Sequence, residues 1–182
     1  MILLQGKKIN LRTLELSDVP LLVRWLSDPV VLEFYEGRDN PHDEALVQKH
    51  FYEDREGITS CIIQHHGIDI GYLQFYEIEE DEKEEYDLSD HKGVIYGMDQ
   101  FIGEPDYWNK GIGSELIKET VRYLTEDCKA GKIVLDPQAW NMRALRVYEK
   151  CGFKKVKLLE KHEWHEGEYR DCWMMVYDRP DV

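Results

Sequence analysis

The spacing of apolar residues changes several times along the chain, and each change predicts an element. Residues Ile9 to Leu14 alternate well enough for a strand. Leu21, Leu22, Trp25 and Leu26 then fall on one stripe, so a helix capped at Ser17-Asp18 should run to Leu26, where Asp28-Pro29 breaks it. A second helical piece is expected from about Pro41 to Tyr52. Ile58 to Gln64 and Ile68 to Tyr76 read as strands joined through His65-His66-Gly67, a hairpin. The segment from Glu77 to Asp87 is dense in like charges that resist burial. It is expected as a solvated loop between strands, or as an acidic rim that attracts cations. Gly93 to Ile102 is the next strand, which Gly103-Glu104-Pro105-Asp106 cannot continue.

Beyond Gly111, Ile112, Leu116, Ile117, Thr120 and Leu124 recur at helical spacing, and Lys132 to Leu135 makes a short strand. Asn141 can cap a helix carrying Leu145 and Tyr148 that stops at Cys151-Gly152. Phe153 to Leu159 and Tyr169 to Tyr177 close the pattern as strands, with His162 to Glu168 as their polar turn. The order β-α-α-β-β-β-α-β-α-β-β predicts a mixed sheet covered by helices, in one α/β domain over residues 1–182.

Charge narrows the chemistry. Against 37 acidic side chains stand 23 Lys and Arg, for a net charge of −14. Such a surface does not displace counterions from nucleic acid and does not dock on anionic lipid. It favours cationic small molecules, although an acidic protein is often simply a soluble one. A core in 182 residues buries roughly 70% of the unfolded surface and needs no disulfide or metal. The four cysteines, Cys61, Cys128, Cys151 and Cys172, form no CxxC pair and read as reduced thiols. No apolar run reaches the ~20 residues of a membrane span. Met1 to Lys8 lacks the order of a secretion signal, so a cytoplasmic location is the expectation.

The segment Trp108-Asn109-Lys110-Gly111-Ile112-Gly113-Ser114 lies between a predicted strand and a predicted helix. The first N–H groups of a helix lack internal partners and carry its partial positive charge. Glycine lets backbone approach an anion closely, so this loop can cradle a pyrophosphate, with Lys110 adding a full charge. It matches neither the P-loop, which needs a longer spacing, nor the dinucleotide fingerprint, whose third glycine is replaced by Leu116. Glycines one residue apart also occur in ordinary tight turns. His162-Glu163-Trp164-His165 is one residue short of a zinc His-Glu-x-x-His and sits in a predicted turn, so no metal site is expected.

About thirty residues after the loop stands Asn141-Met142-Arg143-Ala144-Leu145-Arg146-Val147-Tyr148-Glu149-Lys150-Cys151-Gly152-Phe153. The two motifs together resemble the GCN5-related N-acetyltransferases (GNAT), which use acetyl-coenzyme A. Tyr96 to Pro105 and Leu135-Asp136-Pro137 are more narrowly similar to the aminoglycoside 6'-N-acetyltransferases. The similarity is strongest to the acetyltransferase half of the bifunctional acetyltransferase–phosphotransferases. Val31 to Tyr35, Gly37 to Asp39, His165 to Gly167 and Asp171-Cys172 extend it over nearly the whole chain.

The resemblance implies a mixed, mostly antiparallel sheet splayed in its middle and flanked by helices. It implies that Gln100, Phe101 and Ile102 offer backbone to the pantetheine arm, and that Asn141 and Ala144 also belong to the coenzyme site. Trp108, Asn109, Lys110, Gly111, Ile112, Gly113 and Ser114 would hold the pyrophosphate, although Trp108 stands where the family has Gln or Arg. Asp99 and Tyr148 are implied as catalytic residues. Asp99 anchors the ammonium and acts as base or only as anchor, or it merely caps a strand end; Tyr148 protonates the leaving thiolate or is a core aromatic. Asp99 and Asp136 would line an aminoglycoside pocket, with Glu104, Glu36 and Glu166 either joining them or remaining surface carboxylates. The expected activity is acetyl transfer to an aminoglycoside amine, at the 6' position, giving drug resistance. The alternatives are a polyamine or protein N-terminal acetyltransferase, and a coenzyme-binding sensor without turnover.

Overall fold

The computed structural model describes residues 1–181. These form strands β1 (Ile2–Gln5), β2 (Ile9–Thr13), β3 (Ile58–His65), β4 (Ile68–Glu77), β5 (Val94–Ile102), β6 (Ala130–Leu135), β7 (Lys154–His165) and β8 (Glu168–Asp178). The helices are α1 (Val19–Trp25), α2 (Pro29–Leu32), α3 (Glu44–Phe51), α4 (Glu80–Glu85), α5 (Ile112–Glu126) and α6 (Met142–Lys150). The strands hydrogen-bond in the order β1-β2-β3-β4-β5-β6-β8-β7, the mixed, mostly antiparallel arrangement expected. The pair β5–β6 is parallel, and its register runs from Val94↔Ala130 to Gly97↔Val134 while β5 itself continues to Ile102. No helix of the described residues is long and apolar enough to cross a membrane.

Two compact units share the chain. The first comprises Met1–Gln74, Gln100–Gly113 and His165–Glu168; the second comprises Phe75–Asp99, Ser114–Trp164 and the segment from Tyr169 onward.

In the first unit, Val19, Leu22, Trp25 and Leu26 pack with Val47, Phe51, Ile62, Tyr72 and Phe101. Aromatic edges set the contacts, with Trp25 against Phe101 at 6.1 Å and Phe51 against Tyr72 at 4.9 Å. Arg12 fixes the entry to α1. Its two terminal nitrogens donate to the two carboxylate oxygens of Asp18, each at 2.8 Å, and Nη2 also reaches Asp69 at 2.8 Å. Asp18 therefore serves an ion pair and the Glu15 amide rather than capping α1 with its side chain. Asp28-Pro29 does end the first helical stretch, but it also starts α2. Asp28 accepts from the Val30 amide at 2.9 Å, and proline at N1 has no N–H to leave unpaired. Strand β1 and helix α2 are too short to give a periodic signal. The hairpin at His66-Gly67 is as expected, both residues having positive φ.

In the second unit, Ile78, Ile95, Val134, Met174 and Val176 are buried together. Two expectations need correction here. The acidic segment is not a loop, because Glu80–Glu85 is helix α4. Glutamate and lysine are good helix formers, and Glu80, Asp81 and Glu82 in the first turn suit the helix dipole. Lys83 turns inward, buried, and pairs with Glu80 at 2.9 Å. His162 to His165 are likewise not turn residues but the end of β7; the turn is Glu166-Gly167, both at positive φ.

Gly103 sets a packing limit in the first unit. A Cβ there would lie 2.3 Å from Cγ of Trp25, a fully buried ring. Gly103→Ala is expected to lower the unfolding free energy by about 1–3 kcal/mol in urea titration, the usual cost of overpacking; an unchanged midpoint contradicts this packing.

Candidate active site

The segment that follows β5 belongs to the first unit. Trp108 ends a 3-10 turn (Pro105–Tyr107). Its indole N–H donates to the Ile102 carbonyl at 2.9 Å, and its ring stands edge-on to Phe34 at 5.6 Å. The residue that departs from the family pattern is thus tied into the fold by both ring and N–H. Asn109 and Gly111 both have positive φ, at 58° and 78°, and swing the backbone into the start of α5. A Cβ on Gly111 or Gly113 would meet no protein atom within 4 Å, so the space over these amides is open. A helix start, open space at two glycines and an exposed lysine fit a pyrophosphate.

Of the residues expected to face the pantetheine arm, Phe101 has its side chain in the core, and its carbonyl lies 2.2 Å from where a Cβ on Gly71 would sit. Gly103 continues this close approach by donating to the Ile70 carbonyl at 2.8 Å. Glu104 is bound by Arg24 and by the Trp25 indole, the latter at 2.9 Å. Arg38 chelates Glu166 at 2.7–2.8 Å and holds that carboxyl below its ordinary range. Glu36 is exposed at positive φ.

The second unit contains a cleft of about 280 Å³, including its open mouth, lined by Tyr76, Glu82, Tyr86, Val134, Asp136 and Met174. Each element contributes for a local reason. Tyr76 is the outer end of β4, and its ring lies over Gly97 of β5, where a Cβ would come within 2.7 Å of it. Asp136 follows β6 directly, and α4 carries Glu82. The hydroxyls of Tyr76 and Tyr86 are pushed well up, first by burial and then by the negative charges of Asp99 and Asp136. They therefore remain neutral donors at every physiological pH. Glu82 is also pushed up, by burial and then by Asp81, Glu79, Glu85 and Asp136, all negative. Carboxylates beside neutral aromatic rings suit an organic ammonium, through charge-assisted hydrogen bonds and through the ring faces.

Asp99 and Asp136, two of the expected pocket residues, thus act on the same tyrosines. Sequence reasoning missed Tyr76, Glu82, Tyr86 and His162. The only signal for Glu82 and Tyr86 was the acidic run itself, read mainly as solvated. Also in this unit, Asn141 caps α6 by accepting from the Ala144 amide at 3.3 Å, and Tyr148 packs its ring 6.0 Å from Phe153. The Ser114 carbonyl accepts from the Cys151 thiol at 3.5 Å.

The mixed sheet flanked by helices agrees with an acyltransferase of the GNAT class, and a profile of the acetyltransferase (GNAT) domain matches residues 15–161. The aminoglycoside N(6')-acetyltransferase type 1 of Klebsiella pneumoniae is 30% identical over 150 residues, covering 81% of this chain and 74% of that protein. A crystal structure of aminoglycoside acetyltransferase AAC(6')-Ib with coenzyme A and kanamycin superimposes with a TM-score of 0.72 at 26% identity, covering 94% of this chain and 95% of that one. A spermine/spermidine N(1)-acetyltransferase of Bacillus subtilis is 31% identical over 70 residues, 38% of this chain and 45% of that protein. The chain belongs to the aminoglycoside 6'-N-acetyltransferase family of GNAT enzymes. It is an acetyltransferase whose acetyl donor is acetyl-coenzyme A.

Gly113→Val tests the glycine turn. Because no protein atom lies within 4 Å of the added Cβ, thermal stability should stay within about 1 kcal/mol of wild type. Coenzyme A affinity should fall at least about tenfold in calorimetry. Normal affinity contradicts a phosphate over this turn.

Proposed function

We propose that the protein transfers acetyl from acetyl-coenzyme A to the 6'-amine of an aminoglycoside. The observation that carries this reading is the cleft of the second unit, where Asp136 and Glu82 join two neutral tyrosines under the charge of Asp99. A polyammonium sugar supplies what such a cleft lacks. Glu104 and Glu166 have internal arginine partners and act as structural carboxylates in this reading.

The donor supplies an acetyl thioester, open to attack by an amine nitrogen. An alkylamine has a pKa of about 10 and is almost wholly protonated at pH 7, so the protein must first hold the ammonium and then take its proton. Asp99 anchors the ammonium and helps remove a proton, which frees the nitrogen lone pair that then attacks the thioester carbonyl and expels the thiolate. Tyr148 stabilises or protonates the departing thiolate, whose own pKa is about 8.5. In this reading the amides around Gly111 and Gly113, with Lys110, hold the pyrophosphate, and the backbone of Gln100 to Ile102 serves the pantetheine arm. Acetylation converts a charged amine into a neutral amide, which weakens the drug's binding to anionic targets and gives resistance.

One rival keeps the same cleft but uses a linear polyamine, in line with the partial likeness to the Bacillus subtilis enzyme. Assaying thiol release with kanamycin, spermine and a peptide N-terminus separates the readings. Kanamycin is expected to be turned over with the highest kcat/KM. Asp99→Asn should lower that turnover at least about tenfold and leave coenzyme A affinity intact. Turnover of the peptide alone contradicts the proposal, and an unchanged rate in Asp99→Asn removes its catalytic role.

A further inference from the structure

Asp136 carries a contact that the proposed chemistry does not use. Nε2 of His162 lies 3.0 Å from Oδ2 of Asp136. Asp136 lines the cleft, and its side chain is 41% exposed while that of its partner His162 is 23% exposed. Asp18, Asp69, Glu104 and Glu166 are held by arginines, which do not lose their charge. Asp136 is held by a group that does.

Negative charges reach the ring from several elements. Asp136 follows β6, Glu85 belongs to α4, and Glu163 is its neighbour on β7. On β8, Asp171 accepts from the Lys161 amide at 2.9 Å. The hydrogen bond to Asp136 first, and then the negative charges of Asp136, Glu85 and Glu163, favour the protonated ring and outweigh the opposing effect of burial, raising His162 above its ordinary value. The pairing therefore stabilises the fold fully below the unfolded histidine pKa of about 6.5, and this contribution is lost as pH rises through the higher folded value.

We propose that His162 is a positioning residue of the acceptor cleft: it orients Asp136 through one carboxylate oxygen, and the ammonium of a polycationic substrate displaces its proton. This rests on the reading of the cleft as the acceptor site. Substrate ammonium and imidazolium compete for the charge of one carboxylate. Affinity for the polycation then rises as pH passes upward through the folded pKa of His162. By linkage, bound polycation lowers that pKa, and the proton leaves to solvent while the neutral ring keeps its Nε2–H on Oδ2.

Calorimetry of kanamycin binding to the full chain tests this, with buffers of different ionisation enthalpy to count protons between pH 6 and 8.5. Wild type should release more protons per bound kanamycin than His162→Gln, whose amide N–H keeps the hydrogen bond and does not titrate. The substrate's own amines titrate alike in both, so the difference belongs to the imidazole. At pH 6, His162→Gln should bind kanamycin several-fold more tightly than wild type; at pH 8.5 the two should agree within about twofold. His162→Ala, which leaves Asp136 without its donor, should bind more weakly than His162→Gln at every pH. Equal proton counts and parallel pH profiles for wild type and His162→Gln overturn the proposal while leaving the aminoglycoside reading intact. If kanamycin fails to bind, that reading falls instead, and the same titration with spermine decides for or against His162.

Discussion

In the proposed acceptor cleft, carboxylates must stay negative while partly removed from water, and the lining of the cleft bears on that constraint. Burial pushes Glu82, Tyr76 and Tyr86 toward their neutral forms, and their negative neighbours push the same way. For the tyrosines the result is a fixed set of hydroxyl groups. For the carboxylates it is a need for positive charge, and beside Asp136 that charge comes from an imidazole, His162, at 3.0 Å. A fixed guanidinium at that position would fill the cleft's role with a protein group. An imidazole stabilises the carboxylate and can still give way to a ligand.

The same chain shows the opposite solution where charge serves architecture. Arg12 grips Asp18 and Asp69 at the entry to α1, Arg24 holds Glu104, and Arg38 holds Glu166 beside the β7–β8 turn. These pairs lie in the first unit and leave their carboxylates spoken for. A net charge of −14 is therefore not spread evenly in its consequences. Some acidic residues fix loops and helix starts, and others remain available to solutes.

Much of the fold was legible in periodicity. The long amphipathic run of α5, the Asn141 cap of α6 and the His66-Gly67 hairpin carry strong local signals, and each stands where the pattern placed it. Short elements did not announce themselves: β1 spans only Ile2–Gln5, and α2 only Pro29–Leu32. Helix α4 was hidden for a different reason. Its residues have good helix propensity, but their charge density reads as solvation unless one knows that Lys83 turns inward. In the candidate site, the glycine turn, Asp99 and Asp136 were legible through motifs. Glu82, Tyr86 and His162 were not, because their relevance comes from the cleft that brings them near Asp136, which no local spacing records.

The most direct test is a crystal structure of the protein with coenzyme A and kanamycin. The account predicts ammonium nitrogens at about 3 Å from the carboxylates of Asp99 and Asp136, with Tyr76 and Tyr86 against the sugar rings. Kanamycin bound instead at the exposed Glu36, or on the arginine-held Glu104 and Glu166, with the cleft beside Asp136 empty, would contradict it.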